Sequence, residues 1–351
     1  MKLLGIICLM IWHTGIKGPN VFVASFFLPL FFFISGYLYK ATYLECPLFF
    51  IRKRISSLYI PYVVYCSFFL IFNNIFVYLK LCNEDFYIPA KMLGYRFGRI
   101  LTLMQGLQLA AAMWFVSALF LSSILFCFIN FVLVKMVKTE FSDTKLEKIR
   151  FTVFFALFLL GSYFSHIGIT LPINIDISLV LLFFYYMGFL YNKHEQDIPI
   201  NLHFALVSFF FILVCTRFGY PQFAQRRYVD PAFVLLCGVS GIYLCLYVSK
   251  TLTRLGRIAC LNYAGRNTMV ILALHFLAFK VVSIIVIQLQ DLPVNLLSSF
   301  PVIANTNQYT RVCYAVSGLI FPLLGKYIFD IAWCKLKSLL LPSTSEQLHD
   351  H

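Results

Sequence analysis

Charged side chains are scarce in this chain. Asp, Glu, Lys and Arg make up 12% of its 351 residues, against about a quarter in a soluble domain. Acidic residues are fewest, 14 against 28 Lys and Arg. No polar stretch is long enough for a separate soluble domain, so any chemistry falls to apolar segments and short loops. The 11 cysteines show no metal-ligand spacing and no disulfide framework. Cys8, Cys66, Cys127, Cys237, Cys245 and Cys313 sit within apolar runs and read as small core hydrophobes. No internal repeat is visible, which disfavours an inverted-repeat transporter.

What fills the chain is hydrophobic sequence: 61% of residues, with a mean hydropathy of +0.85. A helical crossing takes about 20 apolar residues. The runs Leu3–Ile16, Val21–Tyr39, Leu58–Leu79, Ala112–Val134, Phe151–Ser165, Ile175–Tyr191, Phe204–Thr216, Pro231–Ser249, Thr268–Ile287 and Arg311–Trp333 predict an all-α, polytopic transmembrane helical bundle of about ten spans with no soluble domain. Residues 1–335 form the membrane-embedded domain and 336–351 a short tail. A second apolar run follows the first at once, so the start does not read as a cleavable signal peptide. The first run is short for a full crossing; either neighbouring helices cover it or a few native N-terminal residues precede it.

The cations sort by loop. Arg52, Lys53 and Arg54 lie between spans two and three; Lys135, Lys138, Lys145, Lys148 and Arg150 between four and five; Lys250, Arg254, Arg257 and Arg266 between eight and nine; Lys335 and Lys337 after the last. With alternating spans these share one side, cytoplasmic by the positive-inside rule, and both termini lie there. The net charge of +14 is therefore topological and does not point to nucleic acid.

Ionisable groups inside apolar helices are costly and signal function. His13 lies near the end of span one, and Lys2 precedes it by eleven residues. That spacing is close to a whole number of helical turns, so the two point the same way, about 16 Å apart along the axis. His275 lies in span nine. A lone intramembrane His also serves simply as a helix–helix hydrogen bond. Ser35-Gly36 interrupts span two; it reads as a packing notch more readily than as a nucleophile, because no Ser–His–Asp set surrounds it. Trp114 opens span four, where an interfacial anchor is the plain reading. The Arg52-Lys53-Arg54 run is a topology determinant or a set of phosphate contacts.

The combination is more specific than its parts. Lys2-x10-His13, Phe32-Phe33-Ile34-Ser35-Gly36-Tyr37, the basic run leading to Pro61, Trp114-Phe115-Val116-Ser117, Phe183-Phe184-Tyr185-Tyr186-Met187-Gly188, and Gly265-Arg266-Asn267-Thr268 leading to His275 follow in this order. In order and spacing the chain resembles the integral-membrane acyltransferase-3 family, which includes O-acetyltransferases of lipopolysaccharide, capsule and other surface glycans. The resemblance runs from Lys2 to about span ten. The family more often has Arg where Lys2 stands, and usually carries a short charged stretch ahead of it. No hydrolase-like domain is appended, so the single-domain form is implied.

The resemblance implies acyl-CoA, usually acetyl-CoA, as donor co-substrate and a hydroxyl of a glycan or glycolipid as acceptor. It implies no permanently bound cofactor or metal, and residence in a bacterial cytoplasmic membrane. Histidine suits the chemistry, since its ordinary pKa near 6.5 lets it take a proton from an attacking hydroxyl. His13 is the expected general base. Lys2, Arg52, Lys53, Arg54 and Arg266 are expected to meet the CoA phosphates, with Ser35, Trp114 and His275 in support. The acceptor would meet the polar outer loop of Gln222, Gln225, Arg226, Arg227 and Asp230, where Tyr228 could stack on a sugar. A transporter or flippase for a glycolipid or small solute is the alternative, since an intramembrane His and a basic inner face serve that role too. A glycan polymerase, which typically has a large arginine-bearing outer loop, and a purely structural subunit fit less well.

Overall fold

The computed structural model describes residues 1–137, 143–228, 230–254, 256 and 259–340. Among them the fold is helical. Eight helical stretches are long and apolar enough to cross a membrane, and two shorter apolar helices occupy the first and seventh positions of the expected ten. The chain is an integral membrane protein built as a helical bundle. Lys138 and Arg257, counted among the basic-loop cations, lie outside the described residues, as does 341–351 of the expected tail.

Span one is α1, Lys2–Thr14. Thirteen residues rise about 20 Å, less than the ~30 Å hydrocarbon thickness. Other helices surround much of α1. It packs against α2 (Pro19–Ala24) and α3 (Phe27–Tyr37), and late in the chain against α13 (Ala259–Arg266), α14 (Thr268–Leu289) and α15 (Gln308–Leu340). Gly15 ends α1 in the left-handed region, φ 63°, where a glycine carries no Cβ penalty.

Between these come α4 (Thr42–Glu45), α5 (Pro47–Arg54), α6 (Ile60–Tyr78), α7 (Leu93–Leu101), α8 (Trp114–Val137), α9 (Asp143–His166), α10 (Ile175–Lys193), α11 (Leu202–Cys215) and α12 (Pro231–Arg254). The basic run Arg52-Lys53-Arg54 does not form a loop. Pro47 starts a helix, and α5 continues through a π-helical turn at Ile55–Tyr59 into α6. Arg and Lys are good helix formers, so hydropathy marks the apolar edge of this span and not its helical edge. Likewise α15 runs past residue 335 to Leu340.

The bundle centre is α10 against α3. A Cβ on Gly36 would lie 1.8 Å from the Tyr185 carbonyl oxygen, and one on Gly188 2.0 Å from that of Phe33. The two glycines face each other's helix and let the backbones approach, the small-residue logic of membrane helix packing. The Ser35-Gly36 notch is therefore a packing device at Gly36. Around it Phe32, Phe126, Phe154, Tyr185 and Tyr186 are fully buried.

Candidate active site

The C-terminal end of α1 carries His13. His13 sits one residue before Thr14, whose carbonyl, with that of Gly15, accepts from Arg311 Nη1 at 2.9 Å each. Terminal carbonyls of a helix lack intrahelical donors, and a guanidinium there also complements the helix dipole. Arg311 Nε donates to Thr306 O at 3.3 Å, fixing the side chain from behind. The end of α1 is thus clamped to the start of α15.

His13 Nδ1 lies 2.9 Å from Nε2 of His275 on α14. The rings are parallel to within 1°, with centroids 4.9 Å apart. His275 has no solvent exposure, and its Nδ1 faces the carbonyls of Leu272 at 2.9 Å and Ile271 at 3.2 Å. Carbonyl oxygens only accept, so His275 Nδ1 holds a proton. In a neutral His275 the other nitrogen is then an acceptor, and His13 Nδ1 must donate to it. A neutral His13 is left with its lone pair on Nε2. The chain carbonyl–His275–His13 sets one tautomer and aims a basic nitrogen, as a carboxylate orients histidine in a hydrolase triad.

His13 lines a cavity of about 540 Å³ at this end of the bundle, with Trp114, Phe115, Asn20, Gln222, Gln225 and Arg311 among its walls. Two loops close over it. Tyr220 packs edge-on against Trp12 at 5.4 Å, and Phe300 against Phe276 at 4.5 Å. The second loop is tied from below by Lys280, buried in α14, whose ammonium donates to Leu297 O at 2.9 Å and Ser299 O at 2.8 Å.

At the opposite, basic end a cavity of about 290 Å³ is lined by Lys2, Ser35, Arg54, Ser57 and Arg266. Arg54 donates to Tyr185 Oη at 3.0 Å and to Ser35 O at 3.4 Å. Its guanidinium lies 4.9 Å from the Phe50 ring centroid, and its buried Nε has no hydrogen-bond partner among the described residues.

The two cavities run along the same four helices. On α1, Lys2 and Ile6 line the basic one and Leu9 and His13 the other; α3 gives Phe31, Ile34 and Ser35 against Phe27 and Leu28; α14 gives Thr268, Met269 and Leu272 against Phe276. On α8, Phe115 alone faces both. Its ring, 5.1 Å from Phe31 and 5.9 Å from Phe32, sits at the boundary of the two.

The expected residues therefore separate. His13 and Trp114 meet in one cavity with His275 directly behind; Lys2, Arg54, Arg266 and Ser35 meet in the other. Ser35 is not beside His13. Arg52 and Lys53 line neither cavity, and Lys53 turns to Tyr43, donating to its hydroxyl at 2.8 Å. In the loop before α12, Gln222 and Gln225 face the His13 cavity, while Arg226 binds the Asp176 carboxylate. Arg311, Phe115 and Lys280 were not expected in these roles. Lys280 carries the same signal as His13, an ionisable group within an apolar helix; Arg311 and Phe115 carry none without the fold. Among the described residues, no group of three His, Cys, Asp or Glu could hold a metal ion.

Residues 1–331 match the acyltransferase-3 family model, described as an acyltransferase domain. No curated protein and no solved structure matches the chain.

Proposed function

Because the chain belongs to the acyltransferase-3 family and is a membrane acyltransferase, we propose that it moves an acetyl group from acetyl-CoA to a hydroxyl of a surface glycan or its glycolipid precursor. The observation that carries this reading is the pair of cavities along α1, α3, α8 and α14, one lined by cations and the other by His13. In this reading the basic end faces the cytoplasm of a bacterial inner membrane, both termini lie there, and acyl-CoA enters from that side. Lys2, Arg54 and Arg266 hold its phosphates, which guanidinium groups bind through paired hydrogen bonds. The pantetheine arm extends along the stripe Lys2–Ile6–Leu9–His13 and brings the thioester to Phe115.

The acceptor hydroxyl enters the outer cavity and attacks the thioester carbon. His13 Nε2 takes its proton as the new C–O bond forms. The tetrahedral intermediate then breaks its C–S bond, and the proton on His13 passes to the departing thiolate, leaving CoA as the thiol. His275 stays neutral throughout and is a positioning residue, because it touches His13 and not the substrate. Arg311 lines the same cavity and offers positive charge to the oxyanion. General base catalysis of this kind contributes about 10²–10⁴-fold.

The test uses membranes bearing wild-type or His13→Ala protein at equal amounts, supplied with radiolabelled acetyl-CoA and envelope glycan. Label should enter the glycan only with the wild type. Full transfer by His13→Ala would remove His13 as the base. Absence of transfer by either protein, with glycolipid movement across the membrane intact, would favour the transporter reading.

A further inference from the structure

A second polar cavity lies beside the His13 cavity at the same end of the bundle. It measures about 560 Å³ and is lined by the last turns of α9, from Leu159 to His166, and by Arg226, Arg227, Tyr228, Asp230 and Pro231. The wall between the cavities is one tight hairpin. Gln222 and Arg227 form an antiparallel bridge, Phe223–Gln225 make a 3-10 turn, and Arg226 turns the chain at φ 56°. Residues 222–225 face the His13 cavity, and Arg226 and Arg227 face the second.

Two hydroxyls in the second cavity have no use in the fold. Ser162 is 4% exposed, and its Oγ has no hydrogen-bond partner among the described residues. The same holds for the buried Tyr228 Oη. Burial, with a smaller contribution from the Asp176 carboxylate, raises the Tyr228 pKa against the opposing Arg226, so the hydroxyl keeps its proton and can donate. Orphaned buried hydroxyls in native proteins call for an explanation. The charges present are largely internal. Asp176 neutralises Arg226, and the Asp230 carboxylate caps α12 through the Ala232 N–H at 2.7 Å. Two donor–acceptor hydroxyls, the rings of Tyr163 and Tyr228, and nearly balanced charge suit an uncharged, hydroxyl-rich ligand.

We propose that this cavity is a second acceptor subsite, holding a sugar unit next to the one acylated at His13. The proposal rests on the glycan-acceptor reading above. A chain of sugars would cross the 222–227 hairpin, with one unit on each side. Ser162 and Tyr228 hydrogen-bond the outer unit and contribute to binding but not to chemistry.

The probe is unacylated envelope glycan from cells carrying His13→Ala protein, cut by partial acid hydrolysis into fragments of one, two and four sugars. Wild-type protein should show an apparent KM at least tenfold lower for the four-sugar fragment than for one sugar. The double variant Ser162→Ala, Tyr228→Phe removes only the two orphaned hydroxyls, so the fold has no contact to lose. It should flatten that length dependence while keeping the one-sugar KM and kcat within about twofold. A double variant that keeps the wild-type length dependence overturns the subsite, as does a wild type without any. A one-sugar kcat that falls with it would mark a structural effect of the hairpin and overturn it too. If wild-type protein acylates no glycan, the reading above fails, and this one with it.

Discussion

His13 Nδ1 and His275 Nε2 stand 2.9 Å apart although 262 residues separate them in the chain. With Leu272 O behind His275, the pair leaves His13 Nε2 as the nitrogen with a lone pair facing the cavity. Removing His275 is therefore expected to lower kcat without touching donor binding. His275→Ala should cost about 10²-fold in kcat, within the range of a misoriented base. His275→Gln, whose amide oxygen can accept from His13 Nδ1, should recover part of the loss. Initial rates per unit of membrane protein decide it. Equal rates for wild type and His275→Ala would leave His275 a packing residue, and a raised acyl-CoA KM would place it in the donor site.

The cations at the basic end should differ although they are adjacent in sequence. Arg54 and Lys2 line the cavity there, and Arg52 and Lys53 do not. Arg54→Ala and Lys2→Glu should each raise the apparent KM for acyl-CoA about tenfold, since a hydrogen bond to a charged group is worth about 1.5–3 kcal/mol. Arg52→Ala should leave it unchanged. A uniform effect of all three would reduce the run to long-range attraction.

Gly36 and Gly188 should tolerate no side chain. Added Cβ atoms would lie 1.8 and 2.0 Å from carbonyl oxygens of the facing helix, which is backbone and cannot turn aside. Either Gly→Ala change should push α3 and α10 apart and cost several kcal/mol, as overpacking in a tight interface does. The readout is the melting temperature of the detergent-solubilised protein by fluorescence-detected size exclusion. An unshifted melting temperature would refute the close crossing.

Much of this was legible in the sequence, and the limits have physical causes. The apolar runs mark the helices of the bundle because a lipid core demands apolar helices, though two of the ten runs form helices shorter than a crossing. The eleven-residue interval from Lys2 to His13 places both on one helix face, and that stripe with Ile6 and Leu9 runs along the two cavities. His275 as partner was not readable, because α1 and α14 meet only in the folded bundle. Arg52, Lys53 and Arg54 look alike as letters; helix phase turns only Arg54 towards Tyr185 and Ser35. Arg311 looked like the start of a span, and only the fold puts it on the carbonyls of Thr14 and Gly15.

Arg311→Ala should loosen the end of α1 and so the aim of His13. It removes two hydrogen bonds to otherwise uncapped carbonyls. The expected loss is about 1–3 kcal/mol in stability, together with a fall in kcat larger than that stability loss alone explains. Arg311→Lys should restore the stability better than the rate, since one ammonium can replace Nη1 at the two carbonyls but leaves Thr306 O without the Nε donor that fixes the side chain. Thermal unfolding and kcat measured on the same preparations separate the two. A rate that tracks folded protein alone would make Arg311 purely structural.

Phe115 should set how much of the acyl group the path admits. Among the described residues it alone lines both cavities, and its ring packs against Phe31 at their boundary. Phe115→Ala vacates space at the boundary where the acyl carbon must sit. Each methylene moved from water into that space is worth about 0.8 kcal/mol. Two of them, the difference between acetyl and butyryl, amount to about tenfold in rate. The ratio of butyryl-CoA to acetyl-CoA turnover should therefore rise about tenfold in Phe115→Ala. Water should also reach the thioester more easily, so acyl-CoA hydrolysis without acceptor should rise. Phe115→Leu, which refills most of the volume, should fall between. If chain-length preference and hydrolysis both stay at wild-type values in a folded Phe115→Ala protein, the acyl group does not pass this ring, and the donor must reach His13 by another route.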